Sequence, residues 1–81
     1  MMCSMDMLRV GQSARVVSID VTDKKVKRHL LDMGFTRGAI VKISRIAPMG
    51  DPISMYVRGY EISIGKKELK NISVEVIGKW K

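Results

Sequence analysis

The sequence predicts a mainly β fold: a small five-stranded antiparallel sheet curled into a barrel, with one amphipathic helix after the first strand and a short helical turn before the last. Three observations carry that expectation. Turn residues recur at short intervals from Gly11 to Gly78. Between them apolar residues alternate with the two-residue period of half-buried strands. That period gives way to a clear helical one over a single stretch, residues 24–33. Antiparallel sheets this small hide their edges by closing on themselves.

In ARVVSIDV, Val17, Ile19 and Val21 share one face while Ser18 and Asp20 take the other, which marks the first strand. Val26, Leu30 and Met33 then recur at i, i+4 and i+7 with Lys24, Lys27 and Arg28 opposite, so the next element is an amphipathic helix. Thr22 or Asp23 can cap its start by accepting an orphan backbone N–H. Gly34 can end it, because glycine takes left-handed dihedrals without a Cβ clash, and Phe35 would then fold back on Leu30. Leu31, about 100° round from Leu30, falls at the edge of the apolar face, open to solvent.

Gly38 opens a turn, after which Val41 and Ile43 keep one face. Arg45 breaks the pattern and Ile46 resumes out of phase, which a bulge near Ser44 or Arg45 would explain. With Pro48 second and Gly50 fourth, APMG reads as a type I turn, and Asp51-Pro52 as another in which the Asp51 carboxylate accepts a backbone N–H. From Ile53 to Ile64 the apolar phase flips from odd to even numbers at Arg58-Gly59. A two-residue hairpin loop there sets Val57 against Tyr60, Met55 against Ile62 and Ile53 against Ile64, keeping all six on one side. Residues 66–70 can form a single helical or 3₁₀ turn, and Ile72, Val74 and Val76 alternate in a last strand. On this reading residues 1–7 are a flexible leader, residues 8–77 the folded domain, and residues 78–81, with Trp80, a tail.

Composition narrows the function. Eighty-one residues, 46% of them hydrophobic, suffice for one core and leave little room for a deep catalytic cleft. The lone Cys3 has no second thiol to pair with, which fits a reducing, cytoplasmic compartment. No apolar run approaches the roughly 20 residues that span a bilayer, and the Met-rich start has no basic region typical of a signal peptide. The single His29, read as a partly packed structural residue, and the scattered acids build no metal site, and no nucleophile is held beside a base, so neither a metal, a cofactor nor an enzymatic role is expected. The glycines lack the spacing of a phosphate loop.

The net charge of +7 points to an acidic partner without naming it. A basic nucleic-acid-binding barrel is the alternative. It would need exposed aromatics to stack bases, and with Phe35 and Tyr60 assigned to the core, Tyr56 and Trp80 are too few. The run KKVKRH is either a solvated helix face or a docking face for an acidic protein.

Taken together, the leading L..GQSARVVSI, the helix-ending L.DMGFTRG, the APMGDP turn pair and the VRGYEISI hairpin resemble the FeoA family, ferrous iron transport protein A, over about residues 7–76. One departure is SIGKKE, where the family often carries Leu-Arg before the acidic residue. The resemblance implies an SH3-like β-barrel, a fold that also forms the C-terminal domain of DtxR-like metal-dependent repressors; the absence of the DNA- and metal-binding regions that precede it there fits a stand-alone form. It further implies a small cytosolic protein, not inserted in the membrane, whose partner is the cytosolic GTPase region of the ferrous-iron transporter FeoB. Under that reading Lys24, Lys25, Lys27 and Arg28 would steer the encounter, with Leu31, Met49 and Tyr60 as apolar anchors. Arg58 on the hairpin tip could reach developing phosphoryl charge as an arginine finger, although arginines are common in tight turns. A metallochaperone role is opposed by the missing ligand cluster, and a proline-rich peptide groove by the shortage of aromatics.

Overall fold

The computed structural model describes residues 2–79. Its elements are β1 (Met2–Ser4), a 3₁₀ turn (Met5–Met7), β2 (Gln12–Ile19), α1 (Lys24–Asp32), β3 (Ile40–Ile46), β4 (Ile53–Val57), β5 (Tyr60–Ile64), α2 (Lys66–Leu69) and β6 (Ile72–Lys79). The strands form one antiparallel sheet in the order β1-β6-β2-β3-β4-β5, wrapped around a core that Leu30 and Phe35 fill from the side of α1.

The hairpin has the expected register: Val57 faces Tyr60, Met55 faces Ile62 and Ile53 faces Ile64. Arg58 and Gly59 both have positive φ, 52° and 86°, the signature of a type I′ loop, whose twist matches that of the flanking strands. Ile53, Met55, Val57 and Ile64 are buried, and Ile62 packs against them. Tyr60 departs from its expected place in the core. It is 75% exposed, because it begins the edge strand beside the loop and no further strand covers it.

The expected bulge in β3 falls at Ser44, since Ile43 faces Met55 and Arg45 faces Ser54. A second, unforeseen bulge falls in β2. There Val16 faces Val74 while Ser18 faces Ser73, leaving Val17 as the extra residue. The core phase is therefore Ala14 and Val16 before the bulge and Ile19 after it, and the inward placement expected of Val17 is corrected.

The N-terminus is not the flexible leader that its composition suggested. Met2, Cys3 and Ser4 pair with Glu75, Val74 and Ser73, making a sixth strand. Met5 is fully buried, and its 3₁₀ turn packs against α2. Three strand residues are too few to show alternation, and only contact with β6 orders them. The folded unit likewise runs past residue 77, because β6 continues through Lys79; Trp80 lies outside the described residues.

Candidate docking surface

The basic helix is built as its spacing implies. Asp23 caps it, its Oδ1 accepting from the Lys25 N–H at 2.9 Å and the Val26 N–H at 3.4 Å. Leu30 is buried, with Val26 and Met33 partly so. The helix ends in a Schellman motif, with Gly34 N–H donating to Leu31 O at 3.0 Å and Phe35 N–H to Leu30 O at 3.1 Å. Its solvent face is left to Lys24, Lys25, Lys27 and Arg28, all exposed, with His29 exposed as well and not packed. At 100° per residue, Leu31 lies between Lys27 and Arg28 on that face, 40% exposed. Among the described residues the ion pairs are Arg15–Glu75 and Arg45–Glu61, so the four helix cations face solvent without a carboxylate.

The hairpin tip meets the end of this helix. Arg58 Nη2 donates to Thr36 Oγ1 at 2.7 Å, and the Arg58 and Val57 side chains cross Gly34 so closely that a Cβ there would lie 3.1 Å from each. Positive φ at Gly34, 105°, and this close approach both require glycine. Arg58 is thereby tied to the fold, its guanidinium turned back over the helix end.

Met49 lies elsewhere. It is 92% exposed on the turn before β4, whereas Arg58 follows β4, so the strand's length, about 17 Å, separates them. The Met49 turn is held by three hydrogen bonds: Gly50 N–H donates to Ala47 O at 2.7 Å, Ala47 N–H donates to Pro52 O at 3.1 Å, and Asp51 Oδ1 accepts from the Lys66 N–H at 2.7 Å. The acceptor role foreseen for Asp51 thus serves the first turn of α2 and not its own turn. Gly38, at φ 89°, turns the chain into β3, its N–H donating to Val16 O at 2.7 Å.

On the outer sheet face the sequence reading left Tyr56 exposed, as it is, but did not join it to Ile40. Ile40 and Tyr56 occupy the solvent phase of β3 and β4, opposite to Val41 and Val57, and with Lys42, Arg58 and Gly59 they line an open groove. Their apolar character in the polar phase was the available signal. Among the described residues no group of three or more His, Cys, Asp or Glu could hold a metal ion, and no helix is long and apolar enough to cross a membrane.

Comparison with known proteins agrees with this architecture. A protein from Porphyromonas gingivalis described as an Fe(2+) transport protein A/Fe(2+) transporter FeoB fusion protein is 30% identical over 70 residues, 86% of this chain. The chain spans only 8% of that relative's length. The NMR structure of a FeoA-like protein from Clostridium acetobutylicum superposes with a TM-score of 0.86 at 36% identity, covering 99% of this chain and 92% of the other. Two matches below a quarter identity speak to the fold alone. Stenotrophomonas maltophilia FeoA complexed with zinc, described as a prokaryotic SH3 domain protein, gives a TM-score of 0.77 at 24% identity, covering 89% of this chain and 88% of that one. T. acidophilum IdeR gives a TM-score of 0.83 at 22% identity, covering 94% of this chain and 34% of that one. The fold is thus SH3-like, shared with metal-dependent repressors, and with the FeoA domain model matching residues 3–76, the chain belongs to the FeoA family.

Proposed function

We propose that this chain is a cytoplasmic accessory protein of ferrous iron transport that acts by contact with FeoB, at the cytosolic region carrying its GTPase domain, and not by chemistry of its own. The observation that carries this reading is the P. gingivalis relative, in which a related domain and the transporter share one chain. Fusion turns an encounter between two proteins into an intramolecular one, which is useful when the two must meet.

The surface offered for that contact is α1. Among the described residues its four cations form no ion pair, and charges at the rim of an interface chiefly raise the association rate and set orientation. Leu31, among them, supplies an apolar contact. The test is binding of the purified chain to the cytosolic region of FeoB, with Lys24, Lys25, Lys27 and Arg28 native or reversed to Glu. Binding that falls roughly tenfold at low salt on reversal is the expected result. No binding by the native chain sinks the proposal, and binding to DNA or RNA in its place, falling steeply with salt, installs the nucleic-acid alternative.

A further inference from the structure

The basic face of α1 does not end at the helix. Lys27 and Leu31, four positions apart, form one row along it, and Arg37, in the loop that leads into β3, borders the same groove as that row. Val16, Ser18 and Ile19 of β2 complete the groove, whose volume is about 290 Å³. Arg37 is fixed there by its backbone. Ala39 N–H donates to Thr36 O at 2.9 Å, and Gly38, third in that turn, takes φ 89°, the type II pattern with Arg37 second. The turn is fastened to β2 twice: Gly38 N–H donates to Val16 O at 2.7 Å, and Val16 N–H donates to Ala39 O at 2.8 Å. The side chains of Arg37 and Lys27, by contrast, are exposed and make neither hydrogen bond nor ion pair among the described residues. One carboxylate lines the groove, that of Asp20. It accepts from Ser18 Oγ at 3.3 Å and pairs with neither cation, so one positive charge is left in excess.

We propose that this groove takes a single acidic side chain of a protein partner, its carboxylate between Lys27 and Arg37 and an apolar neighbour of that residue on Leu31. The excess of one positive charge selects one carboxylate. A run of acids or a phosphodiester chain would press further negative charge against Asp20, and the groove has no ring on which a base could stack. The parallel N–H groups of a guanidinium match the two oxygens of a carboxylate, and the clamped turn leaves only the side chain of Arg37 to be ordered on binding. The proposal rests on the reading that the chain works by protein contact through α1. It adds Arg37, outside the helix, as a residue that determines specificity, and does not require FeoB to be the source of the acid.

The full-length chain, labelled with nitrogen-15, is titrated with the acetylated and amidated peptide Ser-Leu-Glu-Leu-Ser. Saturable shifts should appear at the amides of Ser18, Lys27, Leu31 and Arg37. Arg37→Gln and Lys27→Gln should each weaken binding about tenfold with the remaining spectrum unchanged, as should Gln in place of the peptide's Glu. Arg9→Gln removes the same charge at the other end of β2 from Ser18 and Ile19 and should leave the affinity unchanged. The proposal is overturned by a lack of saturable shifts, by equal binding of the Gln peptide, or by equal weakening in Arg9→Gln. Tighter binding of inorganic phosphate or an oligouridylate at the same amides overturns it too, as do concentration-dependent shifts there without peptide, which would make a second copy of the chain the occupant. A chain that binds the peptide but ignores the cytosolic region of FeoB keeps the groove and removes only the transporter. A chain that ignores the peptide, and whose binding to FeoB survives Arg37→Gln, removes the groove and keeps the transporter.

Discussion

Gly34 shows how much of the surface depends on one residue lacking a side chain. Its φ of 105° lets the chain reverse at the end of α1, so that Phe35 can drop into the core against Leu30. The empty space above it admits the Val57 and Arg58 side chains. We expect Gly34→Ala to cost about 2–3 kcal/mol: roughly 1–2 for the left-handed backbone and the rest for moving two neighbours a few tenths of an ångström. Gly38 provides the control, since its φ is also positive, 89°, but a Cβ there would meet nothing within 4 Å. Gly38→Ala should therefore cost only the backbone share, about 1–2 kcal/mol. Urea unfolding of the two variants isolates the packing contribution as their difference, and equal costs would mean that the crossing of Arg58 over the helix end adds nothing. Arg58 itself illustrates what sequence can and cannot convey. The Arg-Gly dipeptide at a phase flip announces the tight loop, but the guanidinium's partner, Thr36, lies 22 positions away, and no local pattern points to it.

The secondary elements divide into those that local pattern specifies and those that only tertiary contact does. The helix, with its Asp23 cap and Gly34 stop, and the β4–β5 hairpin, with its register, were readable because every signal in them is local: period, cap, loop dipeptide. Both failures of phase had non-local causes. The β2 bulge at Val17 exists because β6 pairs across it, and Tyr60 is exposed because β5 happens to be an edge. β1 is the clearest case, a three-residue strand with no legible period, ordered by β6 and anchored by Met5. If that anchor matters as its complete burial implies, Met5→Ala should cost about 2–5 kcal/mol, a large fraction of the stability of so small a domain; a fraying N-terminus would show no change in the urea midpoint. The contact between Asp51 and α2 makes a gentler test. Asp51→Ala should lose about 1 kcal/mol, as for other side chains that satisfy a helix's first N–H groups, whereas Asp51→Asn, which keeps an accepting oxygen, should lose less. Thermal unfolding of the pair distinguishes a cap from a charge effect. For the candidate surface, the cations of α1 were legible as one helix face. The outer groove was not, because it is assembled from β3, β4 and the hairpin loop.

At the scale of the whole molecule the net charge of +7 has two readings, solubility or recognition, and the placement of two lysines separates them. Lys24 and Lys25 open α1, and apart from the Asp23 cap no acidic residue occupies its first turn, although a helix N-terminus carries partial positive charge that repels cations. A charge needed only for solubility would be better placed elsewhere on the surface, so the arrangement gives up a little stability, which is expected where a local rule yields to a function. The double variant Lys24→Glu/Lys25→Glu should accordingly move stability and association in opposite directions. We expect the unfolding free energy to rise, by about 0.3–1 kcal/mol for each site at low ionic strength. The association rate with the cytosolic region of FeoB should fall severalfold in the same buffer, because steering depends on the summed field of the docking face. Salt should bring the two rates together, since at 0.15 M the field is screened beyond about 8 Å and at 1 M beyond about 3 Å. Stopped-flow association across a salt series, run beside chemical unfolding, measures both quantities on the same protein. A stability gain with no change in association rate at any salt would reduce the basic helix to a solubilising face.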